Sequence, residues 1–263
     1  MIDRLFRCLA CVTGILWTAA CATAPTVQFS TPASDAAKVS GAMYKPQGQG
    51  PFPAIVALHG FGGILDYQND WLKKLTDDGF VTLMVDSYCA RGYYCQGQSR
   101  SRLIPLMLDP MMVSPATRAT DALGALRYLQ SQPFVDPERI GVLGWSGGGT
   151  AALMVSSRTG GFKAAVGFYP SVSERQHGPI TPTLILAGDL DPNAAQYKSY
   201  ADAARKKNLP VEVVVYPGAY RKFDEPGGMI NISGTKQEYN EAAALDAEKR
   251  VRSFFSKHLK LPR

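Results

Sequence analysis

The sequence predicts an α/β fold, with a mostly parallel central sheet and helices on both faces. Three observations predict it. Apolar runs of strand length recur at 54–58, 80–85, 140–143, 164–168 and 184–187; amphipathic segments of helix length alternate with them; and the residues suited to chemistry stand directly after the runs. A continuous apolar run is what a strand covered on both faces of a parallel sheet requires. With 263 residues, 46% of them hydrophobic, the chain can bury one large core, so a single domain over 38–263 is expected. No internal repeat is present.

The N-terminus has a different character. Arg4 and Arg7 precede an apolar run from Cys8 to Ala20 that is short for a membrane span and reads as an export signal, with cleavage after Ala22. Thr18-Ala19-Ala20-Cys21 also resembles a bacterial lipobox, in which case the signal is 1–20 and Cys21 carries a lipid anchor. Either way the chain is expected to be periplasmic or secreted. Residues 23–37, rich in Ala, Thr, Ser and Pro, are expected to form an exposed lead-in. If cleavage falls beyond Cys21, only Cys89 and Cys95 remain. In an oxidising compartment this pair can close a disulfide that stabilises by roughly 2 to 3 kcal/mol; the alternative is two free thiols. The formal charge of +6 is mild and no basic block is present, so a nucleic-acid partner is not expected. No metal site is expected either.

In chain order, 38–44 is a first strand that ends at Lys45-Pro46, and 54–58 is the first fully buried one. It runs into His59-Gly60-Phe61-Gly62-Gly63, a loop whose backbone N–H groups are free to face an anion. Trp71, Leu72 and Leu75 share one face of a helix over 67–78, with Gly79 at its C-terminal cap. The next strand delivers Asp86, suited to capping the loop that follows. Arg91, in the polar loop 89–102, is either a solvated arginine or a ligand for a substrate carboxylate; 103–112 reads as a packed apolar segment. Ser114-Pro115 has the form of an N-cap and first-turn proline, opening a helix that Pro133 terminates. Asp136-Pro137 marks a turn before the strand 140–143. Helices are expected over 194–207 and 243–258, with a strand over 211–216 between them.

Gly144-Trp145-Ser146-Gly147-Gly148 follows the run 140–143 and opens into small residues, which reads as strand, sharp turn and helix. A G-x-S-x-G sequence placed there is a nucleophile elbow, its glycines letting the backbone turn tightly enough to lift the serine hydroxyl above the sheet. The pentapeptide alone fits a plain glycine-rich turn equally well. With Ser146 as nucleophile, the N–H groups of Phe61 and Gly147 become the candidate oxyanion hole. Gly188-Asp189-Leu190-Asp191 supplies an acid after a strand, and Asp191, just before Pro192, is the better placed of the two. An Asp-Pro pair at a helix start is also an ordinary N-cap.

Taken together, Asp86-Ser87-Tyr88, Arg118-Ala119-Thr120-Asp121-Ala122, Gln132-Pro133-Phe134-Val135-Asp136-Pro137, the elbow, Phe168-Tyr169-Pro170, Tyr216-Pro217-Gly218-Ala219-Tyr220 and Phe223-Asp224 resemble the dienelactone hydrolase family. The likeness runs from about residue 38 to the C-terminus. It implies an α/β-hydrolase fold and hydrolysis of a small-molecule ester or lactone by a Ser or Cys nucleophile without a cofactor. Ser146 and Asp191 carry over as nucleophile and acid.

The same resemblance implies a histidine after Tyr220, where this chain has Arg221. A guanidinium offers donors only and cannot take a serine proton near neutral pH. Three histidines are weighed as substitutes: His59 shapes the glycine loop, His258 lies at the end of the last helix, and His177 follows the strand 164–168 on the catalytic side. Two readings result. One is a serine ester or lactone hydrolase weakened or disabled at Arg221. The other is a non-catalytic binding protein that holds an anionic ligand through Arg221 and Arg91.

Overall fold

A computed structural model describes residues 25–32, 38–95, 98, 113–158, 161–173, 178–227 and 236–259. The export signal, Cys21, the segment 103–112 and His177 lie outside the described residues.

Among the described residues eight strands form one sheet: β1 (Thr26–Ser30), β2 (Lys38–Tyr44), β3 (Phe52–Leu58), β4 (Val81–Asp86), β5 (Val135–Trp145), β6 (Ala164–Phe168), β7 (Thr183–Gly188) and β8 (Val211–Tyr216). Their order is β1-β2-β4-β3-β5-β6-β7-β8. The pairs β1–β2 and β2–β4 are antiparallel and all others are parallel. This is the α/β-hydrolase arrangement, with five α-helices among the described residues: α1 (Asp66–Asp77), α2 (Pro115–Gln130), α3 (Gly147–Ser156), α4 (Ala194–Lys206) and α5 (Glu241–Leu259).

The continuous apolar runs divide residue by residue between two cores, as the period of two along a strand demands. Ile55 and Ala57 of β3, and Leu143 and Trp145 of β5, face a core shared with Trp71, Leu72 and Leu75 of α1 and Ala247, Val251 and Phe255 of α5. The alternate residues Ala54, Val56, Leu58, Ile140 and Val142 face the opposite core, built with α2 and α3. Tyr197 and Tyr200 of α4 cover Ile185 and Ala187 of β7 on that same side as Leu153 of α3.

Local chemistry fixes two helix ends that the sequence marks. Ser114 accepts from Thr117 N at 3.2 Å ahead of Pro115, and Gly79, at φ 93°, closes α1. Two expectations are corrected. Part of the supposed lead-in, Thr26–Ser30, is an edge strand whose Phe29 is buried against Tyr128 of α2, so the sheet begins before residue 38. Strand β5 also starts earlier than expected, at Val135, because Val135 pairs with Phe52; the Asp136 carboxylate accepts from Glu138 N at 3.0 Å, and the register slips there instead of the strand ending.

Candidate active site

Because β3 to β8 run in parallel, the loops after β3, β4, β5, β7 and β8 all emerge at one edge of the sheet, where ligands of such folds bind. Ser146 stands between β5 and α3 with φ 54° and ψ −117°, a backbone conformation that costs energy for a residue with a side chain. Surrounding bonds impose it: Ser146 N donates to Phe168 O at 2.9 Å and Thr150 N donates to Ser146 O at 2.9 Å. The two glycines of the motif are sterically obligatory. A Cβ on Gly144 would lie 2.2 Å from Gly148 O, and one on Gly148 would lie 2.1 Å from Leu58 O. At Gly147 the nearest atoms, on Arg118, are 4.0 Å away, so only the two motif positions are crowded.

The side chain between acid and nucleophile is Arg221. Its Nη2 donates to Ser146 Oγ at 2.8 Å and its Nη1 to Asp191 Oδ2 at 3.1 Å. Asp191 is buried; it also accepts from Tyr197 Oη at 3.3 Å and, through Oδ1, from Asn193 N at 2.8 Å. Asp191 is therefore not the N-cap of α4, which is Asn193; its Oδ1 braces the turn ahead of the helix while its Oδ2 meets Arg221. Burial and the charge of Asp191 raise the Tyr197 hydroxyl above its ordinary range, so it remains a donor. Asp189 points elsewhere, capping the β8 turn through Gly218 N at 2.7 Å.

Behind this row lies a second, buried one. Asp224 accepts from Trp145 Nε1 at 2.8 Å and from Tyr169 Oη at 2.9 Å, and burial pushes its carboxyl up to about 6 despite those two donors. The Tyr169 ring sits 5.3 Å under the Arg221 guanidinium, so one aromatic residue is shared by both rows. Ser146, Tyr169 (φ 36°) and Lys222 (φ 62°) all carry positive φ around this point.

The glycine loop passes close by: a Cβ on Gly60 would lie 3.5 Å from Ser146 Cβ. Among the described residues neither Phe61 N nor Gly147 N has a hydrogen-bond acceptor, which leaves both N–H groups able to meet an anion. His59 is fully enclosed, its Nδ1 2.7 Å from Gly60 O, and burial beside Arg118 lowers its imidazole to about 3. It stays neutral and shapes the loop, as the sequence suggested. His258 stacks on Phe254 in the last turn of α5; the neighbouring Phe255 packs at Gly141, near the amino end of β6, so His258 lies toward the opposite edge of the sheet.

Arg91 is not turned to the site. It makes a two-pronged ion pair with Asp121 of α2 at 2.9 and 3.0 Å and donates to Ser87 O, with little of either side chain exposed. This corrects the substrate-binding reading of Arg91: a buried carboxylate already satisfies the guanidinium. Cys89 and Cys95 form a disulfide, S–S 2.02 Å, in the same loop, and Asp86 caps that loop through Tyr88 N and Cys89 N. Among the described residues no group of three or more His, Cys, Asp or Glu is placed to hold a metal ion.

A family model for dienelactone hydrolases matches residues 39–259. The chain belongs to the dienelactone hydrolase family. A protein of Bradyrhizobium sp named "Probable 2-oxo-3-(5-oxofuran-2-ylidene)propanoate lactonase" is 26% identical over 196 residues, covering 69% of this chain and 77% of the relative. Among solved structures, a dienelactone hydrolase-like promiscuous phosphotriesterase from metagenomic libraries superposes with TM-score 0.72 at 20% identity, covering 90% of this chain and 99% of the other. Dienelactone hydrolase from Anabaena variabilis does so with TM-score 0.64 at 19% identity, over 89% and 98%. At such identities the superpositions establish the fold of this family member.

Arg118, Tyr88, Tyr169 and Asp224 were visible in the sequence only as pieces of family-like motifs, without roles. One signal was available for Arg118. It falls in register with Ala122, Ala125 and Leu129, the buried stripe of α2, where a cation is out of place unless something holds it.

Proposed function

We propose that this protein is a serine hydrolase of small carboxylic esters or lactones, whose turnover is held low because Arg221 stands in the place of the general base. The observation that carries the reading is the pair of hydrogen bonds from one guanidinium to Asp191 and Ser146. Ser146 Oγ attacks the acyl carbon, the carbonyl oxygen becomes an oxyanion facing the N–H groups of Phe61 and Gly147, and the alcohol or ring oxygen departs. Among the described residues no side-chain acceptor is bonded to Ser146 Oγ, and Arg221 is already a donor to it, so the serine proton finds no base there. It must pass to water or to the leaving group. The water that cleaves the acyl-serine likewise lacks a base, so deacylation is slow.

Hydrolysis of short aryl esters by the natural chain, by Arg221→His and by Ser146→Ala tests this. The reading expects a gain at Arg221→His that disappears when Ser146→Ala is added.

The second reading, a non-catalytic protein that holds an anionic ligand, draws support from the same guanidinium. It is weakened by Asp191, which already neutralises Arg221, and by the commitment of Arg91 to Asp121. An exported site of action, periplasmic or secreted, is consistent with the paired Cys89 and Cys95, and cell fractionation with a non-reducing gel tests it.

A further inference from the structure

Three successive carbonyls of the glycine loop are gripped from one side. Arg118 Nη1 donates to His59 O at 2.7 Å and to Gly60 O at 3.2 Å, while Tyr88 Oη donates to Phe61 O at 3.1 Å. The two grips are joined, because Arg118 Nη2 donates to Tyr88 Oη at 2.5 Å and the guanidinium lies over the Tyr88 ring at 4.8 Å. The remaining donor, Nε, reaches Val113 O at 3.3 Å. Arg118 is 4% exposed, and among the described residues no carboxylate is in ion-pair contact with it.

A buried cation without a counter-ion is costly, and α2 needs none in order to pack: a leucine or methionine would fill the stripe. Its hydrogen bonds therefore point to what it is for. In a trans peptide the C=O of one residue and the N–H of the next point in opposite directions. Holding Gly60 O toward Arg118 turns Phe61 N–H away from it. Arg118 also lies beneath Gly147, whose absent Cβ is the atom that would face it. The two residues that carry the candidate oxyanion donors thus lie beside the same guanidinium.

We propose that Arg118, with Tyr88 holding the next carbonyl, is the positioning residue that fixes the Gly60–Phe61 peptide as an oxyanion donor. This rests on the serine-hydrolase reading for its kinetic consequence, though not for its structural one. Arg118→Met keeps the volume and removes every donor; Tyr88→Phe removes the bond to Phe61 O and the acceptor of Arg118 Nη2, but leaves the bonds from Arg118 to His59 O and Gly60 O in place.

The test has two arms. In the first, crystal structures and amide exchange of the full-length variants report the Gly60–Phe61 peptide without reference to activity. Arg118→Met is expected to reorient that peptide and to change the exchange rate of Phe61 N–H at least about 10-fold, loss of a backbone anchor being a local-opening event. In the second, aryl-ester kinetics in the Arg221→His background should show kcat falling about 100-fold for Arg118→Met and about 10-fold for Tyr88→Phe, as expected for a damaged oxyanion donor, with KM within about 3-fold. An unmoved peptide with unchanged kcat in Arg118→Met overturns the proposal. If Arg118→Met does not fold, Tyr88→Phe decides, and unchanged kcat with an unmoved loop again overturns it. If hydrolysis in the Arg221→His background survives Ser146→Ala, the serine-hydrolase reading fails, and the peptide orientation alone then decides the role of Arg118.

Discussion

Arg221 Nη2 donates to Ser146 Oγ at 2.8 Å, so the nucleophile faces a group that can give a proton but not take one. Replacing that group with imidazole should change the pH dependence as well as the rate. Arg221→His is expected to raise ester hydrolysis at least about 100-fold at pH 8. Its rate should rise through a single titration near an ordinary histidine value, about 6.5, and level off above it. The natural chain should show no such inflection and should climb only with hydroxide. Profiles of kcat/KM from pH 5 to 9 for both proteins check this; identical profiles would sink it.

The ion pair between Arg221 and Asp191 should also be visible in stability. Asp191 is fully enclosed and Arg221 mostly so. Asp191→Ala leaves a largely buried guanidinium without its partner and is expected to destabilise by about 2 kcal/mol, reduced from the usual range because Arg221 keeps some solvent. Adding Arg221→Met should recover at least about half of that loss. Urea unfolding of the two single variants and the double variant measures the coupling, and simple additivity would mean that the pair is not a unit.

Gly147 and Gly148 are neighbours with opposite tolerances. Gly148→Ala drives a Cβ into the Leu58 carbonyl and should cost at least about 3 kcal/mol or prevent folding, because backbone rather than a flexible side chain must yield. Gly147→Ala meets nothing closer than 4.0 Å and sits at the start of a helix, so it should fold with nearly unchanged melting temperature. Calorimetry of the two variants separates them; equal losses would show that the elbow is not as drawn.

Asp224 makes stability depend on pH in an unusual direction for a carboxylate. Its folded-state value, about 6, lies above the unfolded value near 3.8, so the folded chain holds this proton more tightly. The associated stability is complete below pH 4 and is lost as pH rises towards 6, with an upper bound on the order of 3 kcal/mol. Asp224→Asn removes that titration. The stability difference between the natural chain and Asp224→Asn should therefore move against the natural chain between pH 4 and 7, and a constant difference would refute the assignment.

Much of this molecule was legible because its signals are local. An unbroken apolar run of five residues ended by a glycine loop, such as 54–58, has the length and punctuation of a strand covered twice, and glycines 144 and 148 flank a serine at the end of another such run. Asp191 was legible for the same reason, standing in a Gly-Asp-Leu-Asp-Pro turn directly after a strand-length apolar run. What the sequence concealed is pairing across distance. Nothing near Arg91 announces Asp121, thirty residues on, and nothing near Asp224 announces Trp145. Strand β1 was missed because only Phe29 in it is deeply buried, with Thr, Gln and Ser on the open side, so an edge strand read as polar linker.

That edge strand has a practical consequence. The family match begins at Val39, and a truncation cut there would discard β1 while keeping β2. The backbone groups of Val39 to Ala42 would lose the neighbour that now runs antiparallel beside them, and the α2 surface under Phe29 would be stripped bare at the same time. A chain in that state has a ragged seam able to stitch to a second copy of itself. Sedimentation velocity on 39–263 beside 25–263 should find the shorter protein self-associated and the longer one not, so that these few residues act as the hem of the sheet although the family pattern omits them.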